Sequence, residues 1–335
     1  MTQPSLKEQG FYMPAEWHPH NACWMAWPCH AQTWDTIGFK RAYQAYALVA
    51  EAIAQFEQVI MLVRPEDMDA AKRYLGNTYD LIAMPLTDSW TRDTAPTFLL
   101  NRHNNKTVGI DWKFNAWGGN YTDFALDTQL AENMLTHLNM PCFKAPIFME
   151  GGAIHVNGAG TFLTTAECLL HPTRNPQLSQ EQIENILHDY LGTEQAIWLP
   201  NGLVDDETDG HVDEVACFIA PDHILTLITS DKKDSNYARL QENLEALQQT
   251  NLKITTIEQP PEQYQGDTRL SLSYINFYLA NGGIVMPAFG VADYDRAAYQ
   301  TMQLAFPDRT ITQINAFDVF TGGGGIHCIT QQQPT

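Results

Sequence analysis

GAIHVNGAGTFLTTAECLLHPTRNPQLSQEQIENILHDYLG, residues 152–192, reads as one complete structural module. GAIHV turns through NGAG into TFLTT, because Asn and Gly supply the positive φ that a tight hairpin turn requires. After the hairpin, the run 179–191 reads as a helix: Ser179 stands as N-cap with Gln182 three residues later, and Gly192 ends it. The same order recurs on either side. TAPTFLL turns through NRHNN into KTVGIDW, HVDEVACFIA through PDH into ILTLIT, and SYINFYLA through NGG into IVMPAF. Helical spacing predicts further helices over 38–57, 126–139, 234–248 and 293–305. A unit returning every roughly 50 to 60 residues marks a repeated supersecondary structure, although the copies share almost no residue identity. Strands that arrive as hairpins argue against a doubly wound sheet, which alternates single strands with helices. Radial repetition about an axis, which protects strand edges, suits the pattern better.

The chain has 335 residues, with 39 acidic against 19 basic, a formal charge of −20. A surface of that sign repels phosphate, so nucleic-acid and anionic-membrane partners are not expected. Charged residues reach only 17% and apolar ones 44%, ample for a core and unlike a disordered acidic segment. No leader pattern or membrane-length apolar run is legible, and no Ser/Gly-rich linker divides the chain. A single domain over 1–335 in the cytoplasm is therefore expected. The six cysteines form no CxxC pair and read as reduced thiols.

The densest polar run is GLVDDETDGHVDEVACFIA, 202–220, where Asp205, Asp206, Glu207 and Asp209 lead to His211. On a strand beginning at His211, that imidazole and Asp213 would share a face, a proton-transfer group beside a carboxylate. Taken alone, the segment reads equally well as a solvated acidic loop. The second run is VFTGGGGIHCITQQQPT, 319–335. Four glycines, Gly322 to Gly325, let backbone approach a ligand and lead to Cys328, whose thiolate would be a nucleophile. An ordinary core thiol is the competing reading, and the glycine run argues against it. His327, adjacent on a strand, would face away from Cys328 and make a poor direct base. Trp90 precedes Asp93, setting a carboxylate beside an indole, and Glu150 precedes Gly151-Gly152. Each singly reads as a structural acid. Together, Asp93, Glu150, His211, Asp213 and Cys328 are each expected at the edge of a different hairpin unit, and a radial repeat would bring those edges to one axis and one pocket. His18-Pro-His20 and Cys29-His30 lack a complete ligand set, so no metal is expected.

Six motifs are similar to those of the agmatine deiminases, within the guanidino-modifying superfamily that includes bacterial peptidylarginine deiminase. They are WTRDTAPTF (90–98), DWKFNAWGG (111–119), MEGGAIHVNGAGTFLTTAECLL (149–170), DETDGHVDE (206–214), SYINFYLANGGIVMP (273–287) and GGGGIHCITQQQP (322–334). The resemblance implies an α/β fold, a five-bladed propeller of ββαβ modules with pseudo-fivefold symmetry. It implies agmatine as substrate, no cofactor, and a homodimer or larger assembly. By motif match, Cys328 would be nucleophile and His211 proton donor and acceptor. Asp93 and Asp213 would clamp the guanidinium, Glu150 would hold His211, and Trp90 and Glu207 would contact ligand, Glu207 near its amine end. Two positions depart from the pattern: Gly325 and Asp209 stand where Asn is expected. Charge alone favours agmatine over arginine, because 205–209 offers acids and no cation for an α-carboxylate.

Overall fold

Five small sheets share one plan: an antiparallel hairpin, then a helix, then a strand parallel to the hairpin's second strand. The computed structural model describes residues 4–335. Thr97–Asn101 pairs with Thr107–Lys113, and the helix Leu130–His137 leads to Cys142–Phe148. Ile154–Val156 pairs with Thr161–Thr165, followed by Gln180–Leu191 and Gln195–Leu199. The third unit comprises Ala216–Ala220, His223–Ile228, the helix Asn236–Gln248 and Lys253–Glu258. The fourth comprises Tyr278–Ala280, Gly283–Ala288, the helix Ala292–Ala305 and Thr310–Asn315.

The fifth unit draws its hairpin from opposite ends of the chain. Gln331–Pro334 lies antiparallel to His20–Ala26, after which the helix Phe39–Ile53 leads to Val59–Val63 and a further parallel strand, Asp80–Ala83. No turn signature joins these two strands, so sequence reading finds only four hairpins. The first of the four also gains Phe11–Tyr12 as an outer strand. Side chains clasp the fourth unit to the fifth: Asn281 Oδ1 accepts from the His20 backbone N–H at 2.9 Å, and Tyr278 OH donates to Glu57 at 2.6 Å.

The helices obey their local signals. In Gln180–Leu191, Ser179 and Gln182 form a reciprocal capping box, and Gly192 closes the last turn at φ +66°. Ile183, Leu187 and Leu191, spaced by four, are its buried face. The helix expected over 38–57 ends earlier, at Ile53, and a short amphipathic helix, Met68–Leu75, escaped the sequence reading. Two expected strands are absent. His211 does not open a strand: Val212–Glu214 is a 3-10 turn, and the strand starts at Ala216. Cys328 likewise lies in a turn, and its strand begins at Gln331. Strand-like sequence yields to turns here because polar side chains, rather than a neighbouring strand, take up the local backbone groups. Asp206 shows this, accepting from the backbone N–H groups of Thr208, Gly210 and His211. No helix among the described residues is long and apolar enough to cross a membrane.

Candidate active site

In every unit a polar residue precedes the first strand by two to four positions. Asp93 stands before Thr97, Glu150 before Ile154, Asp213 before Ala216, Asn276 before Tyr278 and Cys328 before Gln331. The segments carrying these residues contact one another in sequence around a closed circuit. Gly152 N–H donates to Asp93 Oδ1 at 2.8 Å, and His211 Nε2 lies 3.8 Å from Glu150 Oε2. Ser273 OH donates to the Glu214 carbonyl at 2.6 Å, and Asn276 Oδ1 accepts from His327 N–H at 2.8 Å. The Arg92 backbone N–H donates to the Cys328 carbonyl at 3.1 Å, which closes the circuit. The sequence reading assigned five residues to five units. In fact His211 and Asp213 share one, and the unit it left empty supplies Asn276. The register of the repeat was the signal that pointed there.

Glycine makes this approach possible. A side chain on Gly152 would place its Cβ 2.5 Å from His211 Nδ1 and 2.9 Å from Asp213 Oδ2, closer than real Cβ contacts allow. Only a residue without one lets the second unit's turn touch the third's. The structure thus brings Asp93, Glu150, His211, Asp213 and Cys328 together. Cys328 Sγ lies 3.8 Å from Asp213 Oδ2 and 3.9 Å from Glu214 Oε1, and Asn276 Nδ2 lies 3.2 Å from the sulfur. His211 Nδ1 is 3.9 Å from Asp93 Oδ1 and 4.0 Å from Asp213 Oδ1. Both His211 ring nitrogens, Glu150 Oε2 and Asp213 Oδ1 are buried without a hydrogen-bond partner. Unspent polar capacity in so dry a place calls for a ligand or a reacting group.

Beside these atoms opens a cleft lined by Asp93, Cys328, Trp90, Trp117, Tyr121 and Glu207. His211, Asp213 and Glu150 are not among its lining residues and lie against them, His211 Nδ1 being next to Asp93 and Asp213 Oδ2 next to Cys328. The indole that donates to Asp93 belongs to Trp117, at 2.8 Å, whereas Trp90 donates to Asp88 at 3.1 Å. Trp117 is aimed by a left-handed turn in which Ala116 and Trp117, neither of them glycine, hold φ of 55° and 52°. Such strain, roughly 1–2 kcal/mol per residue, persists where surrounding contacts fix it. At the mouth, Tyr121 OH donates to Glu207 at 3.1 Å. Asp209 adds less negative charge than its sequence suggests, because Arg174 Nη1 donates to it at 2.5 Å while Nε donates to Glu150 at 2.9 Å. Nothing in the sequence singled out Arg174, Glu214 or Glu16.

Burial and the carboxylates of Asp213, Glu214 and Asp93 push the Cys328 thiol well above its ordinary range. Burial would discharge His211, but Asp93, Cys168 and Glu150 more than offset it and hold the imidazolium well above its usual value. Burial raises Asp93. For Asp213 burial is outweighed, chiefly by His327, so that carboxyl sits below its ordinary range. The resting site therefore pairs a protonated imidazole with an un-ionised thiol. Two trios, Glu150–Cys168–His211 and Asp213–Glu214–Cys328, also have metal-ligand composition, and both are part of this same cluster.

The family model of the Porphyromonas-type peptidyl-arginine deiminases matches residues 12–334. A provisionally named agmatine deiminase of Legionella pneumophila is 56% identical over 335 residues, covering 98% of this chain and 96% of that protein. The solved agmatine deiminase of Enterococcus faecalis, described as catalysing its reaction, is 35% identical with a TM-score of 0.95, covering 100% of this chain and 99% of that one. A Cys-to-Ser variant of the C. jejuni agmatine deiminase, solved with substrate bound, is 26% identical with a TM-score of 0.91, over 97% of this chain and 96% of that one.

Proposed function

Because the chain belongs to the Porphyromonas-type peptidyl-arginine deiminase family, we propose that it is a hydrolase of guanidino C–N bonds whose substrate is agmatine. The observation that carries this reading is a buried thiol 3.8 Å from a carboxylate whose other oxygen is unpartnered, under a small cleft with an acidic mouth. We read the five units as the blades of a single propeller domain, cytoplasmic and self-associating, which serves putrescine formation. The closed circuit of contacts supports that arrangement.

Asp93 and Asp213 take the guanidinium N–H groups and hold the carbon over Cys328, which removes much of the entropic cost of attack. The substrate's positive charge cancels the repulsion that keeps the thiol protonated, so the thiol gives up its proton to solvent as the cation enters. The thiolate forms a C–S bond to the guanidinium carbon. His211, already protonated, passes its proton to one –NH2 of the adduct, and the C–N bond breaks to release ammonia and leave an S-alkylthiouronium. Neutral His211 then takes a proton from water, the resulting hydroxide adds to the same carbon, and the C–S bond breaks. N-carbamoylputrescine leaves as the ureido product, and its excess proton passes to solvent. Glu150 holds His211 from below, and Trp90 and Glu207 contact the chain and amine of the ligand. The chemistry calls on no metal or organic cofactor, so chelator is expected to leave turnover unchanged.

The test is a ureido-product assay on agmatine, free arginine and a peptidyl-arginine, with wild type and Cys328→Ser. Agmatine is expected to exceed arginine by at least about tenfold in kcat/KM, about 1.4 kcal/mol, and the Ser variant to give no product. Equal turnover of arginine overturns the specificity argument, and full turnover by the Ser variant overturns the nucleophile.

A further inference from the structure

His327 lies between two carboxylates. Its Nδ1 is 2.7 Å from Asp213 Oδ2 and its Nε2 is 2.7 Å from Glu16 Oε1, with all three residues buried. An ionised carboxylate only accepts hydrogen bonds, so both ring nitrogens must donate, and only the imidazolium carries two N–H groups. The remaining neighbours complete the balance of charge. Arg92 Nη1 and His155 Nε2 each lie 3.6 Å from Glu16, and Arg92 Nε donates to the His327 carbonyl at 3.4 Å. Asp213 Oδ1 faces His211, while Oδ2, the oxygen His327 takes, also lies 3.8 Å from Cys328 Sγ.

We propose that Glu16 and His327 are positioning residues for the reaction: the pair holds Asp213 in its charged form by one oxygen and leaves Oδ1 to grip the guanidinium. The proposal rests on the deiminase reading above, in which Asp213 is half of the clamp. His327 is not among the residues lining the cleft; the strand expected to turn it away from Cys328 is absent, and its two ring nitrogens are taken by Asp213 and Glu16 instead. Its position next to Cys328 means that one turn carries both the nucleophile and the fixing of the clamp. Asn276 supports this turn by accepting from His327 N–H. Glu16 belongs to the segment before His20–Ala26, the second strand of the closing hairpin, outside the six motifs, which is why no motif points to it.

Burial and Arg92 push the His327 imidazolium down, and Glu16 with Asp213 more than offset them, so it stays charged above its ordinary pKa. The competent state is the protonated one, and it is lost as pH rises through that raised value. Glu16→Gln removes one of the two charges and lets neutral His327 accept from the new amide. The expected result is an alkaline limb of kcat/KM for agmatine moved to lower pH by about one unit, with KM raised about tenfold and kcat changed less. Glu16→Asp, which keeps the charge, should return the limb toward its wild-type position. A purely structural role would lower activity without moving the limb.

An independent readout is the 15N titration of the His327 ring in the wild-type protein, where both nitrogens should remain protonated above the ordinary imidazole value of about 6.5. A neutral ring at pH 7 overturns the proposal, as does a folded Glu16→Gln protein with an unmoved limb and KM. Should Glu16→Gln fail to fold, the wild-type titration decides alone. Should wild type make no ureido product from agmatine, the functional reading falls, while the ring titration still judges the charge state of the pair.

Discussion

At Cys328 the free protein is less nucleophilic than an ordinary cysteine, and the reason is electrostatic. Burial and three carboxylates hold the proton on sulfur, so the thiolate appears only above the ordinary thiol value of about 8.5. Alkylation by iodoacetamide should therefore be slow at neutral pH and rise with a midpoint above that value. Asp213→Asn removes a negative neighbour and should bring the midpoint down; mass spectrometry of the labelled protein measures both. Gly325 offers a second test. A Cβ there would lie 2.3 Å from Asn276 Oδ1 and 2.5 Å from Phe320 Cζ, and Asn276 is the residue beside the sulfur. Gly325→Ala should destabilise by about 1–3 kcal/mol and lower kcat, read by urea denaturation and steady-state assay. The departure from the expected Asn is thus matched by the close packing of Asn276. The candidate residues were legible because each pairs chemical capacity with a place beside a glycine or a strand start. Arg174, Glu16 and Glu214 were not, since their roles come from neighbours more than twenty residues away, across folded contacts that no local spacing records.

Local signals carry most weight at the level of helices and hairpins. Ser179→Ala breaks the capping box of Gln180–Leu191 and should cost about 1 kcal/mol in a urea melt, with kcat unchanged because that helix stands outside the site. The four contiguous hairpins and the helix that follows the hairpin in each unit were readable for the same reason: turn chemistry and periodicity act within a few residues. The segments 211–215 and 324–329 misled because apolar, strand-like composition there serves burial in turns. In both, side chains such as Asp206 and Asn276 bond to backbone N–H groups that a strand partner would otherwise take. His211 and Asp213 nevertheless lie side by side, brought there by a 3-10 turn instead of by strand alternation.

Across the whole molecule, a charge of −20 and an acidic cleft mouth favour the approach of a dication. Raising salt from about 50 mM to about 500 mM shortens the Debye length severalfold. It should lower kcat/KM for agmatine several-fold while leaving kcat nearly constant, a split that stopped-flow or initial-rate kinetics can read. The order of the units was also legible in sequence, but their closure was not, because its two strands lie more than three hundred positions apart. That closure carries a consequence for biosynthesis. The strand Gln331–Pro334 and the thiol just ahead of it are synthesised after the other four modules, so a nascent chain can fold those four and still lack Cys328. The cluster around Cys328 is complete only when translation has delivered Gln331–Pro334 to its seat beside His20–Ala26.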